Sequence, residues 1–159
     1  MEITGIGELE RISGDADLKR LYLYWCERRG TRLYPARDDI DPVDFSYALG
    51  RVSLVEVQGK RFYYRLVSTQ LTQHLGYEMT GKFLDQMPGS EMRNFAEQHY
   101  RRALACAAPL YETDAVVLDG RRWRHESLVL PLAADGETIS MLLIYRTTGA
   151  PEPVRPERR

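Results

Sequence analysis

His99 is one of the side chains in this sequence whose type could do chemistry. It falls in a run, residues 90–107, where Met92, Phe95, Ala96, His99, Tyr100, Ala103 and Ala107 recur at helical spacing. On the stripe it shares with Phe95 and Ala103, an imidazole could move a proton or ligate a metal. A lone histidine on an apolar face is more simply a hydrogen-bonded core or boundary residue, and His74, just before Gly76, reads the same way. The run Arg121-Arg122-Trp123-Arg124-His125-Glu126 interleaves bases with an aromatic, a pattern that could contact phosphate or a nucleotide base. Strand parity puts Arg122, Arg124 and Glu126 on one face, so a solvated charge ladder is the simpler reading. The acidic stretch Asp38-Asp39-Ile40-Asp41-Pro42-Val43-Asp44 lacks the glycine and terminal glutamate of a calcium loop. It reads instead as a helix start with Asp41 as N-cap and Pro42 first in the helix, so no metal is expected.

Cys26 and Cys106 lie far apart in helix-like apolar segments and read as small buried hydrophobes. Nucleophile elbow, phosphate-binding glycine loop, zinc-binding histidine pair and CxxC are all missing, and Gly5-Ile6-Gly7 lacks a third glycine. No catalytic residue is therefore assigned.

These residues must be positioned by one domain. At 159 residues the chain can bury roughly 70% of its unfolded surface, enough for a single core. Lys and Arg number 22 against 23 Asp and Glu, so no net field asks for nucleic acid or an anionic membrane. With no secretory start and no apolar run of membrane-spanning length, a cytoplasmic location is expected.

Along the chain, residues 1–14 read as a partly ordered arm and residues 15–50 as an N-terminal helical extension. In it Leu18, Leu21, Tyr22 and Trp25 repeat at helical spacing behind a cap at Asp15 or Asp17, and a short helix runs from Pro42 to about Leu49. The middle of the first helix is apolar almost all the way round, which calls for two covers, one of them expected to be a second subunit. Strands are expected at residues 51–58 and 61–69 around Gly59-Lys60. Short helical turns follow to residue 87, then a long helix capped by Ser90 and stopped by Pro109. Three more strands, residues 110–118, 122–132 and 138–147, are separated by Asp119-Gly120 and Asp135-Gly136. The Pro-rich, charged residues 149–159 read as a disordered tail. Strands joined mostly by hairpins, with the helices segregated, give an α+β fold on one antiparallel sheet.

The segment Leu75-Gly76-Tyr77-Glu78-Met79-Thr80-Gly81-Lys82-Phe83-Leu84 resembles the helical middle of PAS (Per-Arnt-Sim) domains, and the order of elements agrees over residues 51–148. The pairing of Tyr64-Arg65-Leu66-Val67 with Leu130-Pro131-Leu132-Ala133-Ala134-Asp135-Gly136 resembles bacterial stand-alone, single-PAS proteins. The family's common Asp-Ile-Thr ending of the last strand is replaced by Tyr145-Arg146-Thr147-Thr148.

The resemblance implies a five-stranded antiparallel sheet cradling a helical crossover, preceded by an N-terminal helix that often dimerises. It implies a sensory or signal-transducing module that binds a small organic ligand, a protein partner or both, with output through partner binding. With strand and helix parity it places the ligand among Tyr64, Leu66, Phe83, Phe95, His99, Trp123 and Met141. It implies a homodimer through Leu18, Leu21, Tyr22 and Trp25. Flavin is not expected, because Cys106 in Ala103-Leu104-Ala105-Cys106-Ala107-Ala108 does not resemble a photoactive motif, and haem on His99 is not expected either. The alternative is an isomerase- or thioesterase-like enzyme of cone-shaped or hotdog fold using Asp114, His99 or Glu126.

Overall fold

The Asp15 carboxylate accepts bonds from the backbone N–H groups of Asp17 and Leu18, and this cap starts the helix on which the N-terminal layer is built. The structure is a computed structural model that describes residues 1–118 and 120–154. Its helices are α1 (Ile6–Ile12), α2 (Ala16–Arg29), α3 (Thr69–Leu75) and α4 (Ser90–Cys106), with a ten-residue 3₁₀ segment at Pro42–Arg51. Its strands are β1 (Val52–Gln58), β2 (Arg61–Leu66), β3 (Leu110–Leu118), β4 (Arg121–Leu132), β5 (Met141–Thr148) and the two-residue β6 (Glu152–Pro153).

The strands form one antiparallel sheet in the order β2-β1-β5-β4-β3, with β6 added beside β4. Hairpins therefore close β1–β2, β3–β4 and β4–β5, while α3 and α4 carry the one long crossover, as the α+β reading requires. Gly59, at φ 62°, supplies the left-handed backbone that the first hairpin needs. Asp119 of the expected Asp119-Gly120 turn lies outside the described residues, as do residues 155–159 of the expected disordered tail. Within the same tail, Glu152 and Pro153 pair with Arg122 and Arg121.

Both sheet faces are covered. On one, Leu18, Leu21, Tyr22 and Trp25 of α2 pack with Phe45 and Ala48 against Leu54, Leu128, Leu130, Leu143 and Tyr145. On the other, Ala96, Tyr100 and Ala103 of α4 pack with Met79, Leu84 and Met87 against Val55, Tyr64, Val129, Leu142 and Ile144. Alternate residues of β4 and β5 thus enter different cores, which is why these strands read as unbroken apolar runs.

Four expectations change here. Leu18, Leu21, Tyr22 and Trp25, assigned to a dimer interface, are 0–5% exposed inside a single protomer, with the Trp25 indole N–H donating to Pro131 O at 2.8 Å. A second cover of α2 within the protomer is the 42–51 segment, whose Phe45 ring meets Tyr24 at 5.9 Å. Residues 1–14, read as a partly ordered arm, contribute α1, and Ile3 and Leu9 are buried in the core. Ser90 is the first helical residue of α4 and Gly89 stands at its N-cap, so Ser90 does not cap it.

A polar network ties α2 to the sheet: Arg51 donates to Tyr145 Oη and to Asp17, each at 2.6 Å, and Tyr145 donates to Asp15 at 2.6 Å. Among the described residues, no helix is long and apolar enough to cross a membrane.

Candidate functional site

The α4 face of the sheet changes from apolar to polar toward one end, and the change follows the strand register. Val129 and Ile144 lie in the packed core beneath α4. One row further along, Glu112, Ser127 and Arg146 sit side by side on β3, β4 and β5, and the next row is Asp114, His125 and Thr148. Antiparallel pairing sets these side chains next to one another on one face. Val116 and Trp123 form the next pair of the series.

Helix α4 closes over these rows. Its inward stripe places His99 at 4% exposure, stacked on Phe95 with ring centres 6.2 Å apart. His99 Nδ1 lies 3.1 Å from Glu112 Oε2, and the same carboxylate takes two bonds of 2.8 Å from Arg102. Arg102, with His99 adding to it, holds Glu112 down at about 2. Burial pushes His99 below its ordinary range against the pull of Glu112, so the imidazole is neutral at pH 7. A neutral ring that donates through Nδ1 leaves Nε2 as an acceptor. That Nε2 is buried and has no hydrogen-bond partner among the described residues.

The remaining charges on this face are paired. Arg146 donates to Asp114 at 3.0 Å and lies over the Phe95 ring at 5.1 Å. His125 shares a 2.9 Å hydrogen bond with Thr148, and burial followed by Arg146 pushes its pKa down. Deeper in the core, the hydroxyls of Tyr64 and Tyr100 bond each other at 2.8 Å, and burial raises both, Tyr100 to about 12.

Of the seven residues expected to share a pocket, the structure gathers Phe95 and His99 directly, Tyr64 beneath α4, and Trp123 at the far end of the same strand series. Leu66 belongs to the opposite core, because the register slips between Leu54↔Leu66 and Val55↔Tyr64. The extra residue, Arg65, makes a bulge that breaks the parity on which Leu66 was grouped with Tyr64. Met141 also lies in the α2 core. Phe83 sits on the outer edge of β2, packed edge-on to Tyr63 at 5.1 Å and under Arg61 at 3.6 Å. None of the seven lines either of two open concavities, of about 570 Å³ on the outer side of α4 and about 370 Å³ beside Met1 and Tyr111.

Glu112 and Arg146 were not singled out from sequence. Their signal was the register itself, which sets residues 112, 127 and 146 in line once the β3–β4 and β4–β5 turns are fixed. Glu126, considered as an acid or base, faces the α2 layer and accepts a hydrogen bond from Ser13, while Asp114 is bonded to Arg146. Arg122 and Arg124 are exposed, and Arg124 pairs with Glu152 at 3.3 Å. Among the described residues, no three His, Cys, Asp or Glu side chains are grouped so as to hold a metal ion.

A search of curated proteins finds no match to this chain. The family model described as PAS domain matches residues 15–145, which takes in α2, the helical crossover, β1 to β4 and β5 as far as Tyr145. The chain belongs to the PAS domain family.

Proposed function

We propose that this PAS domain is a cytoplasmic sensory module of the bacterial stand-alone kind. It takes its signal as a small neutral ligand on the α4 face and passes it to a protein partner. PAS domains are in general non-catalytic sensory modules. The observation that carries the ligand reading is His99, a buried imidazole held by Glu112 at one nitrogen and unpartnered at the other. A buried polar atom without a partner costs about 1–3 kcal/mol, so a group that satisfies it gains that much in binding.

The chemistry of the site selects the ligand. With Glu112 bonded to Arg102 and Asp114 to Arg146, the face offers no unpaired charge to an ion among the described residues. An O–H or N–H donor suits Nε2, and a flat apolar body suits Phe95 and Trp123. Of the residues that the isomerase or thioesterase reading would use, Asp114 is bonded to Arg146 and Glu126 faces the α2 layer, away from His99, which speaks against that reading.

Native mass spectrometry of the protein as purified tests this. The reading expects a retained small molecule whose mass is lost from the folded His99→Leu variant. A ligand retained equally by both proteins would contradict the role given to His99, and a bare wild-type protein would favour recognition of a partner alone.

A further inference from the structure

Arg122 and Arg124 are the exposed bases of β4 that the ligand reading leaves unused, and the register sets them beside an open strand edge. Arg124 pairs with Ala115 and Arg122 with Val117, so both arginines stand on the α2 side of the sheet next to short, uncharged residues of β3. Arg124 meets Glu152 at 3.3 Å, with the two side chains 62% and 56% exposed, and Arg122 makes no ion pair among the described residues. The acids of β3, Glu112 and Asp114, lie on the opposite face and are bonded to Arg102 and Arg146.

The edge itself is free over the same stretch. Along β2, residues 81–83 cover the edge, with Tyr64 N–H donating to Lys82 O at 3.0 Å. Along β3, the N-terminal segment covers only the start, where Tyr111 N–H donates to Met1 O at 2.9 Å and the Met1 ammonium donates back to Tyr111 O at 2.7 Å. Tyr111 therefore turns its backbone N–H and C=O away from β4, and in an antiparallel strand every second residue does likewise. Thr113, Ala115 and Val117 continue that series, and among the described residues no strand pairs with them on that side. Residues 110–118 contain neither Lys nor Pro, and their pairing with β4 runs without a register shift, so nothing blunts the edge.

We propose that β3 takes up an acidic extended peptide of a partner protein as a further strand of the sheet, its alternate carboxylates reaching over Ala115 and Val117 to Arg124 and Arg122. This names the partner that the proposed signalling role calls for, and it rests on that half of the reading. An added strand lies about 4.8 Å from β3 and about 10 Å from β4. A glutamate beside the small Ala115 and the long Arg124 side chain can meet across that span. Three outward-bonding residues give about six backbone hydrogen bonds, and the peptide's other face lies against Val116, which is 39% exposed. Charge also separates this occupant from a second β3. The residues that a second β3 would set on the arginine side are Thr113, Ala115 and Val117, which offer no carboxylate.

Amide exchange followed by NMR on the full chain tests the proposal, with the synthetic peptide acetyl-Glu-Thr-Glu-Val-Glu-Thr-amide added and, separately, the same peptide with lysine in place of glutamate. The acidic peptide should slow the Thr113, Ala115 and Val117 amides in a saturable way, and the basic one should not. Arg122→Glu with Arg124→Glu should weaken the acidic peptide about tenfold or more, and salt should weaken it in the wild type. Ala115→Pro removes an N–H that β4 does not use, so it should leave the fold intact while the slowing at Thr113 and Val117 is lost. Unchanged exchange at millimolar acidic peptide would overturn the proposal, as would equal slowing by both peptides. So would slowing that follows protein concentration with no peptide present, which would assign the edge to a second copy. These readouts do not depend on a small molecule held at His99, so the edge proposal can fail while the ligand reading stands, and the converse.

Discussion

Replacing Glu112 by glutamine tests whether the bond that fixes His99 forms in solution. Glu112 accepts two bonds of 2.8 Å from Arg102 and one of 3.1 Å from His99 Nδ1. The Arg102 side chain is 48% exposed, so its pair with Glu112 contributes about 0.5–1 kcal/mol. The His99 side chain is 5% exposed, and a bond from its N–H to a carboxylate contributes about 1.5–3 kcal/mol, of which a neutral amide oxygen keeps roughly 1. Glu112→Gln should therefore cost about 1–3 kcal/mol. With a urea slope of about 2 kcal/mol/M, the unfolding midpoint falls by about 0.5–1.5 M. In a His99→Leu background only the Arg102 share is left to lose, about 0.5–1 kcal/mol, so the two substitutions should couple measurably in a double-mutant cycle. Equal losses in the two backgrounds would refute the reasoning, because they would mean that Glu112 does not hold the imidazole.

Further outcomes follow from other contacts. Tyr100→Phe strands the fully buried Tyr64 hydroxyl and should cost about 1–3 kcal/mol by urea unfolding, whereas the double variant with Tyr64→Phe should be close to neutral. Trp25→Glu puts an unpaired charge into a site that is 1% exposed, so circular dichroism should show an unfolded protein and not a folded monomer. Ala107 holds a left-handed φ of 54° at the end of α4, and Ala107→Gly should raise stability by about 0.5–1 kcal/mol. Acid should act in two windows. His99 and His125 are held below 6.5 by burial, so the unfolded chain takes up protons first and stability falls as the pH drops below that value. Glu112, shifted from 4.5 to about 2, contributes stability that is fully present above 4.5 and is lost as the pH falls toward 2. Urea midpoints across that range should show both declines, with His99→Leu reducing the first.

Much of the fold was legible because its signals are local. Asp15 caps α2, Asp41 accepts from Val43 N–H with Pro42 behind it, and the Gly59-Lys60 turn joins two strands where the dipeptide says it should. The unbroken apolar runs of β4 and β5 belong to a sheet covered on both sides. What the residues alone could not reveal was which element does the covering. Trp25 and its neighbours need a second apolar surface in any fold, and only the tertiary structure shows that the 42–51 segment provides it. The site was half legible for a similar reason. His99 and Phe95 follow from helical spacing within α4, whereas Leu66 was misplaced by one bulge residue, Arg65, that has no local sequence mark. Glu112 and Arg146 are ordinary charged residues of amphipathic strands until the register sets them in one row under α4.

The most direct test of the ligand reading is a long-range ¹H–¹⁵N spectrum of the histidine side chains, recorded as p-cresol and then 4-methylanisole are added. The expected spectrum is that of a neutral His99 protonated at Nδ1, with an Nε2 signal that shifts on adding p-cresol, which carries an O–H donor, and not on adding the methyl ether. A His99 that is charged at neutral pH, is protonated at Nε2, or responds to both probes alike would contradict it.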